Sequence, residues 1–142
     1  MIRNIGIIYH PVRKKASYIA SLLEEFFAEH LVKVQFSLPL VDWQTLNVKH
    51  YKEIDLVVSI GGDGTLIRVS HVILNHKFNV PIWPIAAGEF NFMPDGIDPV
   101  DIKKAVKLLL EGNFRQLYRP IMGVTLLSNF HNIHNSLLNL LI

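Results

Sequence analysis

Apolar and polar positions along the chain follow two periodicities, one typical of strands and one typical of helices. Short apolar runs rich in β-branched residues predict four strands, at residues 4–9, 32–37, 56–60 and 80–86. Apolar residues three and four positions apart share one face of a helix, and this spacing predicts helices at Ala16–Ala28 and 66–74. Residues 38–53 show no clear period and are expected to be irregular. The alternating order predicts an α/β fold with an open, mainly parallel sheet and helices on both faces.

The fourth strand and the helix after it carry boundary signals of their own. Two prolines within residues 80–86 favour a position at the edge of the sheet or at a strand end, because proline has no N–H for a neighbouring strand. Asp98 followed by Pro99 predicts a helix start, since aspartate caps the helix and proline suits its first position. Gly112 predicts the end of that helix, where glycine often closes the last turn.

Composition defines a globular chain without a strong charge preference. The 142 residues suffice for one domain with a core, and 50% of them are apolar, which excludes a disordered sequence. The net charge is only +2, and one basic cluster stands out, Arg13-Lys14-Lys15. That cluster fits either a solvated helix start or a contact with phosphate. We therefore expect no nucleic-acid partner.

The expected location follows from what the chain lacks. It has no cysteine, which excludes disulfides and thiolate metal sites and is compatible with a reducing cytoplasm, where we expect the protein. The N-terminal residues have a strand pattern rather than that of a signal peptide. Residues 120–142 carry no formal charge, but asparagine and histidine interrupt them too often for a spanning helix, so we expect no membrane partner.

The strongest chemical signal is the turn Gly61-Gly62-Asp63-Gly64-Thr65, between the third strand and the next helix. Glycine removes side-chain bulk and permits positive φ, so a large anion can approach the backbone N–H groups. The helix N-terminus adds a partial positive charge. The structural alternative is an ordinary turn, because Gly-Gly and Asp-Gly are common in loops without a ligand. The buried strand before the turn and the apolar helix after it favour a polyphosphate site, with Asp63 free for proton transfer.

The turn also carries a family resemblance. The segment Ser59–Arg68 closely resembles the Gly-Gly-Asp-Gly-Thr segment of NAD kinases. Diacylglycerol kinases and related lipid kinases share its core, but the branched pair followed by Arg68 favours the NAD kinases. Three other segments are similar to the same family, at residues 5–11, 81–93 and 115–126. The resemblance covers residues 3–127 and corresponds to the N-terminal α/β domain, the first half of a family member.

The resemblance implies a function and a set of site residues. It implies ATP-dependent phosphorylation of the 2′-hydroxyl of NAD, giving NADP, with Mg²⁺ accompanying ATP and no metal ligands among the protein residues. Asp63 would be the general base. Five residues would contact phosphate groups, namely Gly61, Gly62, Gly64, Thr65 and Arg68. The alternative for Arg68 is a surface salt bridge. Phe92 matches the aromatic residue that lines the dinucleotide site, and its alternative is an ordinary place in the core.

Three substitutions depart from the family pattern and keep other functions open. NAD kinases usually carry asparagine at the position of Ala86, and glycine at the positions of Pro84 and Asn91. These positions belong to a loop that should contact substrate. The substitutions favour, as one alternative, an inactive nucleotide-binding remnant. The shared glycine loop keeps a second alternative open, a domain of the lipid or diacylglycerol kinase type.

The C-terminal tail is expected to differ from the rest of the chain. Residues 128–142 do not resemble the continuation of the family, and their apolar residues recur at helical spacing, which predicts an amphipathic helix or else unselected sequence. By the resemblance, we expect no counterpart of the family's second domain among these residues. An apolar surface left without that domain predicts self-association as a homo-oligomer.

Overall fold

The computed structural model describes residues 2–40, 53–89, 91–124 and 138–141. Within them the chain forms six strands: β1 (Asn4–Tyr9), β2 (Lys33–Pro39), β3 (Leu56–Gly61), β4 (Ile82–Ala86), β5 (Ile121–Val124) and β6 (Leu138–Leu141). The helices are α1 (Lys14–Glu29), α2 (Asp63–Asn75) and α3 (Ile102–Leu110), the last preceded by a 3₁₀ turn at Pro99–Asp101. No helix in these ranges is long and apolar enough to cross a membrane.

The first four strands form one open parallel sheet in the order β2-β1-β3-β4. This arrangement confirms the predicted α/β fold, and it confirms the edge position of β4. The outer side of β4 is partly covered by Asp95, whose carbonyl oxygen accepts the N–H of Ala86 at 2.9 Å. The N–H of Asp95 donates to the carbonyl oxygen of Pro84 at 3.1 Å. Self-association through a sheet edge stays a prediction.

Helices cover both faces of this sheet, as predicted. Side chains of a strand alternate between its faces, so neighbouring residues of β1 enter different cores. On one face the buried residues of α1 and α3 pack against β1 and β3, and they include Ile5, Ile7, Ile19, Leu23, Phe27, Val58, Ile102 and Val106. On the other face α2 packs against the same strands, with Ile8, Val57, Val69, Val72 and Ile73.

The predicted helix boundaries agree with the structure at the start and end of the α3 region. The Asp98 carboxylate accepts the N–H of Val100 at 3.2 Å, as a capping residue does. Gly112 has a φ of 76°, the left-handed conformation expected beyond a helix end. Lys103 of α3 lies 3.3 Å from the carboxylate of Glu29, which ties α3 to the end of α1.

The helical alternative for the C-terminal tail is contradicted at residues 138–141, the part of the tail that the structure describes. Leu138–Leu141 is a strand, paired antiparallel with Ile121–Val124, and not the end of an amphipathic helix. Helical spacing among leucines is ambiguous over a few residues, and the partner strand decided the outcome. The rest of residues 128–142, like residues 41–52 of the stretch expected to be irregular, lies outside the described residues. The domain boundary after residue 127 stays a prediction.

Candidate functional site

The glycine turn lies where β3 ends and α2 begins, at the carboxyl edge of the parallel sheet. Gly62 alone links the two elements, with φ −100° and ψ −171°, and its carbonyl oxygen accepts the N–H groups of Thr65 and Leu66 at 3.0 and 3.2 Å. Asp63 is therefore the first residue of α2 rather than a loop residue. Its carboxylate lies at the positive end of the helix dipole.

None of the three glycines of the turn adopts a positive φ, which corrects the sequence-based expectation, and Gly61 is needed for close packing instead. Gly112 is the only glycine with a positive φ among the described residues. A Cβ added at Gly61 would collide with Thr65 Oγ1 and would lie 2.6 Å from Thr65 Cβ. A Cβ added at Gly64 would meet nothing within 4 Å. Gly61 thus makes room for Thr65, whereas Gly64 leaves the outer side of the first helical turn uncovered.

Thr65 has a packing role that the sequence did not reveal. Its side chain lies over Gly61, and only 4% of the residue is exposed. The predicted contact between its hydroxyl group and a phosphate stays a prediction.

The carboxylate of Asp63 is bound by backbone groups of the segment that follows β4. The N–H of Phe92 donates to Oδ1 at 3.1 Å and to Oδ2 at 3.2 Å, and the N–H of Met93 donates to Oδ1 at 3.0 Å. These hydrogen bonds to a carboxylate are stronger than those between neutral groups. Asp63 therefore holds this segment against the N-terminus of α2.

The segment is also held by contacts with the glycine turn. The N–H of Ala87 donates to the carbonyl oxygen of Gly61 at 2.9 Å, and the Asn91 side-chain amide donates to the carbonyl oxygen of Gly88 at 2.8 Å. A Cβ at Gly88 would lie 2.9 Å from Asn91 Oδ1 and 3.4 Å from the Cα of Gly62. Asn91 thus fills the inside of this turn. Phe90 lies outside the described residues.

Phe92 and Ala86 lie on the same segment but differ in their exposure to solvent. The Phe92 side chain is 90% exposed, which rules out a place in the core, while its backbone is bound to Asp63. Ala86 pairs with Gly61 at the end of β4 and is only 7% exposed. Ala86, where the family pattern has asparagine, therefore lies directly beside the glycine turn.

Arg68 lies exposed on α2. A histidine that no sequence motif singled out, His10, lies against the residue before the glycine turn. The N–H of His10, the residue after β1, donates to the carbonyl oxygen of Ile60 at 2.9 Å. Burial lowers the pKa of His10, and the charges of Arg13 and Arg68 lower it further. A histidine directly after a strand of this sheet was a signal in the sequence, because such residues reach the carboxyl edge.

Two alternatives from the sequence can be compared with the described residues. The ion pairs of the described residues include Lys103–Glu29 and Lys107–Glu111, and none of them involves Arg68. The described residues also contain no group of three histidine, cysteine, aspartate or glutamate residues arranged to hold a metal ion.

An open parallel sheet with a glycine–aspartate turn at its carboxyl edge defines an α/β domain of the class whose ligands lie beyond the carboxyl ends of the strands. Residues 28–114 match the family model of the ATP-NAD kinase N-terminal domain. That match includes the glycine turn, Arg68 and Phe92 and covers more than half of the chain. The chain therefore belongs to the NAD kinase family, as its resemblance predicted.

Curated proteins with similar sequences are named NAD kinase. An NAD kinase from Methanopyrus kandleri is 36% identical over 84 residues, covering 58% of this chain and 29% of the relative. An NAD kinase from Clostridium beijerinckii is 28% identical over 125 residues (86% and 42%), and one from Chloroflexus aurantiacus is 25% identical over 113 residues (79% and 39%). The chain thus spans between 29% and 42% of the length of these curated relatives.

Proposed function

We propose that this chain carries the phosphate-binding turn and the general base of an NAD kinase, which phosphorylates the 2′-hydroxyl of NAD with ATP and gives NADP. One observation carries the proposal. The Asp63 carboxylate is fixed by the N–H groups of Phe92 and Met93 at the N-terminus of α2. Gly64 is the next residue along the helix, and its backbone is not covered by other atoms on the side of a Cβ.

Asp63 suits the role of a base because its hydrogen bonds leave one oxygen partly free. A carboxylate offers about four lone-pair sites. Oδ1 accepts two N–H groups, whereas Oδ2 accepts only that of Phe92, at 3.2 Å. In the proposed step the proton of the ribose 2′-hydroxyl moves to Oδ2 as that hydroxyl oxygen bonds to the γ-phosphorus of ATP. The bond from this phosphorus to the β–γ bridging oxygen breaks, and ADP leaves.

Phosphate binding would use the backbone around Asp63. The N–H groups of Asp63 and Gly64 begin α2 and would point toward a phosphate at the turn, beside the uncovered side of Gly64. The N–H of Thr65 already donates to the carbonyl oxygen of Gly62. Arg68 adds a positive charge on the same helix. Mg²⁺ would arrive bound to the phosphate oxygens of ATP and would offset their charge.

Phe92 would position the dinucleotide. The residue is 90% exposed, and its backbone N–H is bound to the proposed base. An aromatic ring held in this way offers a flat apolar surface for a nicotinamide or adenine ring. Stacking on Phe92 would thus place the substrate close to Asp63.

One observation supports an alternative, a nucleotide-binding module without turnover. The buried side chain of Ala86 beside Gly61 offers no hydrogen bond where relatives were expected to carry asparagine. Binding of NAD or ATP by the folded chain without NADP formation would support this alternative. A lipid kinase would instead phosphorylate diacylglycerol and not NAD.

The test is NADP formation by the 142-residue chain from NAD, ATP and Mg²⁺, followed with an NADP-specific dehydrogenase. We expect Asp63→Asn to lower the rate by about 100-fold or more, because general-base catalysis contributes about that much. Asp95→Ala is the matched control, since Asp95 is an exposed acidic residue close to the same segment. Equal rates for Asp63→Asn and the unmodified chain would contradict the role of Asp63.

A further inference from the structure

The loop that carries Phe92, residues 88–94, is fixed to the sheet on both sides. Before the loop, the N–H of Ala87 donates to the carbonyl oxygen of Gly61 at 2.9 Å. After the loop, Asp95 pairs with β4, and its N–H donates to the carbonyl oxygen of Pro84 at 3.1 Å. The contacts made within the 88–94 loop therefore determine where Phe92 lies between these two fixed points.

One side chain inside the loop joins its first half to its second. The side-chain Nδ2 of Asn91 donates to the carbonyl oxygen of Gly88 at 2.8 Å. Because that carbonyl needs a donor, the contact also fixes which way the amide faces. The other end of the amide, Oδ1, is buried and has no hydrogen-bond partner among the described residues. The Asn91 side chain thus lies within the loop rather than on its surface.

Gly88 leaves the space that the Asn91 side chain occupies. A Cβ added at Gly88 would lie 2.9 Å from Asn91 Oδ1, a distance at which one of the two must move. It would also lie 3.4 Å from the Cα of Gly62, so the loop packs directly on the glycine turn. The non-glycine residues with a positive φ in the described ranges are Leu31 and Lys77, so Asn91 fits here without that strain.

The two groups that bind Asp63 directly follow Asn91. The N–H groups of Phe92 and Met93 donate to the Asp63 carboxylate. Phe92 is 90% exposed, so packing of its ring contributes little to holding it in place. Its position therefore depends on the backbone, which Asp63 binds at Phe92 itself and which the Asn91 side chain ties to Gly88 just before it.

We propose that Asn91 is a positioning residue, which holds the 88–94 loop in its Asp63-bound conformation before the dinucleotide arrives. The inference rests on the proposed function, in which Phe92 contacts NAD. A loop that is already ordered loses less conformational entropy on binding, so this order strengthens the affinity. Asp63 itself belongs to α2, and the helix sets its place. Asn91 should therefore affect the binding of NAD and not the chemical step.

The first test measures amide hydrogen exchange and does not depend on activity. Asn91→Ala removes the hydrogen bond to Gly88 without adding the backbone freedom of glycine. We expect exchange at the Phe92 and Met93 amides to become about fivefold faster, the effect of losing one hydrogen bond. Asn113→Ala, a change of an exposed asparagine beyond α3, is the matched control and should leave exchange at both amides unchanged.

Two amides of the same protein provide an internal reference for this test. The N–H groups of Ala87 and Asp95 bind residues of β3 and β4, so their exchange should be the same in Asn91→Ala and the original chain. Equal acceleration at these amides and in the 88–94 loop would show a general loss of stability and would overturn the positioning role. Exchange in the loop that does not respond to Asn91→Ala would overturn it as well.

The second test separates substrate binding from catalysis. In NADP formation, Asn91→Ala should raise the KM for NAD about fivefold and leave kcat and the KM for ATP unchanged. Asn91→Gly should raise the KM for NAD further, because glycine adds backbone freedom to the unbound loop. A merely structural role would reduce the amount of folded enzyme. A lower kcat with an unchanged KM for NAD would therefore contradict the proposal.

A third measurement uses the unmodified protein. The side-chain amide protons of Asn91 should exchange more slowly in NMR than those of exposed Asn113, because one of them is bound to the carbonyl oxygen of Gly88. The slow exchange should persist at saturating NAD, since the loop is already in its bound conformation. Fast exchange without NAD, or loss of the protection on binding NAD, would overturn the proposal even if the variants failed to fold.

The proposed function stands or fails separately. NADP formation whose KM for NAD is the same in Asn91→Ala and the original chain would refute the positioning role and leave the function. If no form produces NADP, the function fails, and calorimetry with NAD decides the positioning role. A Kd for NAD about fivefold higher in Asn91→Ala would then support it. A folded chain that binds no NAD would refute both.

Discussion

The backbone N–H of Phe92 donates to both carboxylate oxygens of Asp63, at 3.1 and 3.2 Å, across 29 residues of sequence. The proposed base and the exposed aromatic ring therefore belong to one hydrogen-bonded unit. A change at Asp63 affects the segment around Phe92 as well as proton transfer. An Asp63 variant would therefore lose activity for two reasons, the loss of the base and the release of the segment around Phe92. The two effects can be measured separately.

The first prediction concerns the position of the Phe92 segment. Asp63→Ala removes both acceptors, so amide hydrogen exchange at Phe92 and Met93 should become faster. Asp63→Asn retains one carbonyl oxygen and should show a smaller increase. Exchange in Asp95→Ala serves as the control. If exchange at both amides is the same in Asp63→Ala as in the original chain, the hydrogen bonds do not hold the segment.

The second prediction separates two glycines of the turn. Gly61→Ala should lower the free energy of unfolding by about 1–3 kcal/mol, because its Cβ meets the Thr65 side chain. Gly64→Ala should raise it by about 0.5–1 kcal/mol, because Gly64 lies in open space within α2. Urea denaturation of the pair provides the measurement, and changes of the same sign would argue against the observed packing.

The third prediction concerns the acid–base behaviour of His10. Arg13→Gln and Arg68→Gln should each raise the pKa of His10, because each removes a charge that opposes protonation. The pKa should stay below its ordinary value in both variants, since burial is the larger cause. NMR titration of the ring measures this, and an unmoved pKa would place the arginines too far away.

The lowered pKa of His10 also fixes the sign of its effect on stability. As the pH falls, the unfolded chain binds a proton at this histidine before the folded chain does. The contribution of His10 is therefore present above the ordinary pKa of histidine and is lost as the pH falls through the lowered value. Urea denaturation at several pH values should show that the free energy of unfolding falls less with decreasing pH in Arg68→Gln than in the original chain.

The fourth prediction compares three phenylalanines. Phe92→Ala should leave the free energy of unfolding nearly unchanged, because the side chain is 90% exposed, but should weaken NAD binding. Phe114→Ala, at 56% exposure, is the control for both measurements. Phe27→Ala should lower the free energy of unfolding by about 3–5 kcal/mol, because Phe27 is fully buried. If Phe92→Ala and Phe114→Ala bind NAD with equal affinity, Phe92 does not contribute to NAD binding.

Several features were predictable because their causes lie within a few residues. The helix start at Asp98 and the helix end at Gly112 follow from capping chemistry, and both agree with the structure. The edge position of β4 followed from its prolines. The turn at Gly61–Thr65 was evident from its residue types, although the reason for its first glycine was not.

The sequence by itself determined the alternation of strands and helices, the parallel sheet, and the place of Asp63 at its carboxyl edge. These depend on periodicity and on turn residues, which act over short distances along the chain. Only the tertiary structure decided that Asp63 binds the backbone of Phe92, that the N–H of His10 binds the carbonyl oxygen of Ile60, and that Leu138–Leu141 is a strand. The partners in these contacts are not neighbours in the sequence, and they depend on how strands pair and helices pack rather than on any local pattern.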